Sequence, residues 1–260
     1  MKKRERVMKK GLIGGLLLLS SGAVYAQSCP VNVPNPIHID KGNVSVYEAG
    51  KPKLLIDDNN NLFINGKQVD LNTMQQQALT AYSDNMQTYL PQMAALAQQG
   101  TDLALAVLKD VSNSFDSQAA FTKVQTLVQQ LSEQAQHKFY NAQGEFVMPA
   151  DVFSSMDTTW KTEFENAMQQ VTVESISSVL MALGDEMKHG DLDFSQMQTK
   201  FSQLKTQITD TVTQHSGEMK VKANDLCGSI EGLAKQEQQL QQIIPQLQDI
   251  PMFKSHANER

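Results

Sequence analysis

Apolar positions along the chain change their period once, close to residue 72. Before that point they alternate. Ile37 and Ile39, Val44 and Val46, the run 54–56 and the run 62–64 are short apolar segments separated by residues rich in Pro, Asn, Asp and Gly. Alternation of this kind predicts half-buried strands. Asn65-Gly66 between apolar residues is a strong hairpin signal, because a type I′ turn requires positive φ at both central positions. Residues 27–72 therefore read as a small antiparallel β meander of three to five strands. Such a unit is too small to bury a core alone and must pack on helices.

From Thr73 the period becomes about 3.6. Asn72 is the expected N-cap of a first helix with Ala78, Tyr82, Met86, Tyr89, Met93 and Ala97 on one face. Pro91 should kink or split it, and Gly100 should end it. A second helix from Thr101 carries Leu103, Val107, Leu108 and Val111. A third, from Asp116 or Ser117, carries Phe121, Val124, Val128, Leu131 and Ala135. Residues 138–148 interrupt the helical pattern and read as a short second hairpin. Further helices start at Asp157, with Trp160, Phe164, Met168, Val171, Val179 and Leu183 on the buried side, and at Asp193, with Phe194, Met197, Phe201, Leu204 and Ile208.

The last segment has a heptad-like seam of Met219, Ala223, Leu226, Ile230, Leu233, Glu237, Leu240, Ile244 and Leu247, and Glu237 is a charge at a core position. The predicted fold is mainly α with a small N-terminal antiparallel β meander. Its long amphipathic helices form a bundle with a coiled-coil-like C-terminal arm. The helical body spans 73–250, and Pro245 and Pro251 end it, leaving 251–260 as a flexible tail.

The first 26 residues change this picture by placing the chain. Lys2, Lys3, Arg4, Arg6, Lys9 and Lys10 precede the apolar run 11–19, and Val24-Tyr25-Ala26 offers small residues for cleavage. This is a bacterial-type secretory signal, too short to remain as a membrane span. It predicts a periplasmic protein with no transmembrane segment; the alternative is lipid anchoring at Cys29. Removing 1–26 takes away those six basic residues against Glu5 alone, so the remaining body is more acidic than the −6 of the whole chain. An acidic body argues against nucleic acid as a partner. The two cysteines, Cys29 and Cys227, are an even count in an oxidising compartment and predict one disulfide closing nearly the whole exported chain.

Candidate chemistry is sparse. His38, His137, His189, His215 and His256 show no metal-ligand spacing, and HExxH, CxxC, GxSxG and P-loop patterns are missing. No catalytic residue, metal or cofactor is predicted. Asp57, Asn59 and Asn61 have the spacing of the first calcium-loop ligands. Leu62 stands where that loop needs glycine and Gln68 where it needs glutamate, so the stretch reads as a polar turn. The carboxylates Asp185, Glu186, Asp191 and Asp193 gather around a helix end, where solvation accounts for them. Glutamine pairs along the helices read as exposed, weakly charged helix formers, and most methionines as core filler.

The early cysteine, the segment Leu62-Phe63-Ile64-Asn65-Gly66-Lys67-Gln68, the long helical body and the late Cys227 resemble the YggN-like family of gammaproteobacterial envelope proteins. That family has no established activity, so the resemblance implies periplasmic location and the Cys29–Cys227 pairing and assigns no catalytic residue. The expected function is non-enzymatic: binding another cell-envelope protein as an accessory component. The alternatives are a helical carrier of an apolar ligand and a chaperone-like holder of envelope clients.

Overall fold

The computed structural model of the protein describes residues 29–114, 118–155 and 194–255, together with positions 166, 169 and 174. Residues 1–28, the start of the third predicted helix, the face from Trp160 to Leu183, His189, the carboxylates 185–193 and residues 256–260 lie outside the described residues.

Strands β1 (Val31–Asn32), β2 (Ile37–Asp40), β3 (Asn43–Glu48), β4 (Lys51–Ile56), β5 (Leu62–Ile64) and β6 (Lys67–Gln68) open the fold. Strands β2 to β6 form consecutive hairpins, and β7 (Phe146–Met148) joins the far side, giving an antiparallel sheet in the order β6-β5-β4-β3-β2-β7. Three of its turns are two residues long: Lys41-Gly42, Ala49-Gly50 and Asn65-Gly66. Both residues of each turn have positive φ, with glycine second, a backbone whose twist matches that of the flanking strands. The registers align two apolar rows on one face, Met148-Ile37-Val46-Leu54-Ile64 and Phe146-Ile39-Val44-Ile56-Leu62. A slip of one residue in any pair would turn a row toward solvent, so burial itself sets the register.

Helix α1 (Thr73–Tyr89) lays Leu79, Tyr82 and Met86 into the same core. Asn72 caps it as expected, in a reciprocal capping box with Gln75. Pro91 separates α1 from α2 (Gln92–Ser114). Gly100 does not end a helix, contrary to expectation. It lies inside α2 opposite Met219, and Thr101 Oγ1 donates back to the Ala97 carbonyl, so the chain stays helical through both. Helix α3 (Gln118–Phe139) packs on α2. The two helices after Asp193 are one, α5 (Phe194–Ile243), 50 residues or about 75 Å long. The short α4 (Val152–Ser155) precedes it.

The fold is therefore mixed, with a larger sheet than the predicted meander. Two further expectations are revised. The hairpin expected over 138–148 is reduced to the turn 141–144 and a single antiparallel bridge between Tyr140 and Phe146: Phe139 completes α3, and Phe146–Met148 becomes the outermost strand of the main sheet. Phe146 is buried there, its ring stacked on Phe139 at 6.2 Å, which favours the sheet over an exposed hairpin. Residues 251–255 are not a flexible tail either. After a 3-10 turn (Pro245–Leu247) the chain folds back, burying Met252 and Phe253 at 0% and 6% exposure, and β8 (Lys254–Ser255) pairs with β1.

Cys29 and Cys227 form the predicted disulfide, 198 residues apart in sequence. Closing so long a loop removes denatured-state entropy worth up to roughly 5 kcal/mol. Urea unfolding of the Cys29→Ser/Cys227→Ser double variant is expected to show a lower midpoint than the oxidised protein. Equal midpoints would show that the bond does not stabilise the fold.

Candidate functional site

The heptad-like seam of α5 is what brings a charge into the core. Leu226, Ile230, Leu233, Leu240 and Ile244 are buried against the base, and the same spacing places Glu237 among them at 1% exposure. It is the one buried acidic or basic side chain among the described residues. Such a carboxyl must find donors or lose its charge.

The donors come from the C-terminal strap. Pro245 has no N–H and ends α5, and after Pro251 the chain crosses the core with the N–H groups of Met252 and Phe253 pointing inward. Met252 N donates to Glu237 Oε1 at 2.6 Å and Phe253 N to Oε2 at 2.8 Å. Gln241 Nε2 adds a longer bond to Oε1 at 3.3 Å. From α1 the fully buried Tyr82 faces the same space, its hydroxyl 3.9 Å from Met252 Sδ.

Burial pushes the Glu237 carboxyl up to about 7, against the opposing pull of the Met252 and Phe253 N–H groups and the Gln241 amide. Burial, reinforced by the neighbouring Glu237 charge, drives the Tyr82 phenol well above its ordinary range. The cluster joins α5, α1 and the strap.

Ten residues earlier on α5, about 15 Å along the axis, Cys227 holds Cys29. From Cys29 the chain runs into β1, whose partner β8 continues from the strap, with Val31 opposite Ser255 and Asn32 opposite Lys254. Disulfide, strand pair and Glu237 thus bring both described ends of the chain onto one helix. Glu237 was legible in sequence only as a polar break in an apolar seam, because its partners are main-chain groups that no side-chain pattern records.

The other candidates are scattered. His38 Nδ1 lies 3.1 Å from Glu145 Oε1, with its ring 4.3 Å from that of Tyr47. His215 lies 3.5 Å from Glu218 on the surface of α5. His137 is in the last turn of α3. Among the described residues, no three of His, Cys, Asp and Glu gather as a metal site requires.

The calcium-like stretch is a self-contained turn: Asp57 accepts from Asn59 N, Asn61 N and Asn61 Nδ2 at 2.7–3.0 Å. Burial raises the Asp57 pKa, but the bonds from Asn61 and Asn59 outweigh it and leave it below the usual value. Several glutamines do more than cover exposed faces. Gln76 donates to the Asn60 carbonyl, Gln87 to that of Gly42, and Gln98 accepts from Ser132 and Gln136 across α2 and α3. On α5, Ser202, Gln203, Thr206, Asp210, Thr211 and Gln214 line a shallow, open depression. No helix among the described residues is long and apolar enough to cross a membrane.

Fold and site define a class: a mixed protein whose N-terminal antiparallel sheet is closed by a chain-spanning disulfide and a C-terminal strap latched on a buried carboxyl. Residues 29–253, from the disulfide cysteine to the strap, match the family described as "Protein of unknown function (DUF2884)", and the chain belongs to that family. No curated protein and no solved structure matches it.

Glu237→Ala leaves two buried N–H groups without an acceptor, a loss on the order of 3 kcal/mol. The pH dependence has a definite sign. The folded chain keeps this proton up to about pH 7, against the ordinary value of 4.5. The contribution of Glu237 is thus fully present below about pH 4.5 and is lost as pH rises through about 7. Thermal unfolding followed from pH 4.5 to 8 is expected to show this decline, and Glu237→Gln to remove that part of it.

Proposed function

We propose that this protein is a periplasmic, non-enzymatic binding or accessory component of the cell envelope, of the YggN-like gammaproteobacterial kind. Its sheet base serves as a mount, and its helices form a bundle-like arm with a coiled-coil-like seam that meets another envelope protein.

The observation that carries this reading is the division of labour along α5. Leu226, Ile230, Leu233, Leu240 and Ile244 sink into the base core, whereas Ser202, Gln203, Thr206 and Asp210, more than a dozen residues earlier, face solvent. Val111, Phe121, Val124 and Val128 on α2 and α3 are buried outside that core, so the arm has an apolar seam of its own. A helix buried at one end and carrying exposed polar residues toward the other suits a reversible protein contact, in which rim-like polar surface stays soluble when the partner is away. The disulfide supports residence in an oxidising compartment.

Site-specific photocrosslinkers in living cells test the reading. Probes at Gln203 and Asp210 on the arm are expected to capture one and the same envelope protein, and probes at Lys51 and Lys67 on the base to capture little of it. Equal capture from both ends, or none from the arm, would overturn the assignment.

A further inference from the structure

The bond that closes the chain has a carboxylate beside it. Glu231, one helical turn on from Cys227 along α5, brings its Oε1 to 3.8 Å from Cys227 Sγ. A disulfide sulfur has no proton to donate, so this contact sets a negative charge against sulfur lone pairs and is not a hydrogen bond. Among the described residues no ion pair neutralises Glu231. The other positions of α5 one turn from Cys227 on that side are Ala223, Asn224 and Ile230, none of them cationic. The strap cation Lys254 stands opposite Asn32, three residues along from Cys29, and is exposed to solvent.

The bond is also within reach of a small reagent. Cys29 and Cys227 are both half-buried, and Gly228, next to Cys227, is exposed with nothing within 4 Å of the place a Cβ would take. Space beside the sulfur is therefore open, and the charge that borders it is that of Glu231.

Opening a disulfide moves negative charge across its sulfurs. An attacking thiolate R–S⁻ bonds to one sulfur, and the S–S bond breaks as its electron pair leaves with the other sulfur as a thiolate. Attack on Cys227 brings the incoming thiolate up to Glu231, and attack on Cys29 leaves the departing thiolate on Cys227, beside the same carboxylate. Both routes meet the same repulsion.

We infer that Glu231 is an electrostatic guard of the Cys29–Cys227 bond, slowing its opening by thiol reductants and so keeping the N-terminal strand fastened to α5. This guard is independent of the envelope reading. The reaction it slows begins with formation of the mixed disulfide just described. A second R–S⁻ then attacks the R-side sulfur, giving R–S–S–R and the protein dithiol, which takes up two protons from solvent.

Reduction of the oxidised full chain by thiols of different charge tests the guard. The reagents are anionic mercaptoethanesulfonate, neutral mercaptoethanol and cationic cysteamine, each at the same thiolate concentration for every variant. At low ionic strength a single charge about 4 Å away in water is worth about fivefold, so Glu231→Gln is expected to be reduced about fivefold faster than the unaltered protein by mercaptoethanol. The acceleration should be larger with the sulfonate, smaller with cysteamine, and should shrink for all of them in about 1 M salt. Asp225→Asn removes an equal charge from an exposed position of the same helix and is expected to leave the rates near those of the unaltered protein.

Unchanged rates in Glu231→Gln would overturn the proposal. So would an acceleration equal for every thiol and insensitive to salt, the mark of a loosened helix, or one matched by Asp225→Asn, which would trace it to net charge. Glu231→Lys is the second variant: reversing the charge should accelerate reduction by the sulfonate beyond the glutamine variant, and a rate no higher than that of the unaltered protein would also sink the guard.

Discussion

Two main-chain N–H groups donated to one buried carboxyl hold the C-terminal strap in the core, and much of the remaining architecture depends on that contact. Without an acceptor at position 237, Met252 and Phe253 would bring unsatisfied donors into a space shared with Tyr82 and the apolar seam of α5. Burying Met252 and Phe253 is favourable through their apolar side chains and unfavourable through their backbone, and Glu237 decides the balance. The strap in turn supplies β8, which covers β1 and with it the residues next to Cys29. A side chain that lowers the stability of an isolated helical seam is therefore the one that closes the whole fold.

The base and the arm solve the burial problem differently. In the base, two apolar rows crossing five strands face α1 and the C-terminal half of α5, so register, hairpin twist and core are mutually consistent. Glutamines then fasten the helices to the turns, as Gln76 does at Asn60 and Gln87 at Gly42. In the arm a narrow seam between α2 and α3 is supplemented by polar bonds such as those converging on Gln98. Amide side chains can make such bonds without a net charge to desolvate, which accounts for part of the glutamine bias of the helices.

The sheet was legible to the extent that its determinants are local. Alternation marked most of its strands, Asn65-Gly66 marked one turn, and Asn72 marked the start of α1. Lys41-Gly42 and Ala49-Gly50 have the same backbone as Asn65-Gly66, but lysine and alanine carry no local preference for positive φ, so those turns were hidden. The strand at β7 was legible but its main partner was not, because β2 lies more than a hundred residues away and period alone cannot distinguish a local hairpin from a returning edge strand. The seam of α5 was visible, as was its anomaly at Glu237. Its meaning was not, since an acceptor for backbone donors is recognisable only once the donors are in place. The disulfide was legible from an even cysteine count and the expectation of an oxidising compartment, neither of which requires the fold.

One helix carries both the polar face of the arm and the two fastenings of the base. Asp210 and Glu237 are 27 residues apart on α5, about 40 Å of continuous helix with Cys227 between them. Gentle curvature over that length only lengthens the solvent-side hydrogen bonds, whereas a sharp kink would have to break the ladder, so the continuous helix holds the arm's polar face in a fixed relation to the base that Cys227 and Glu237 fasten.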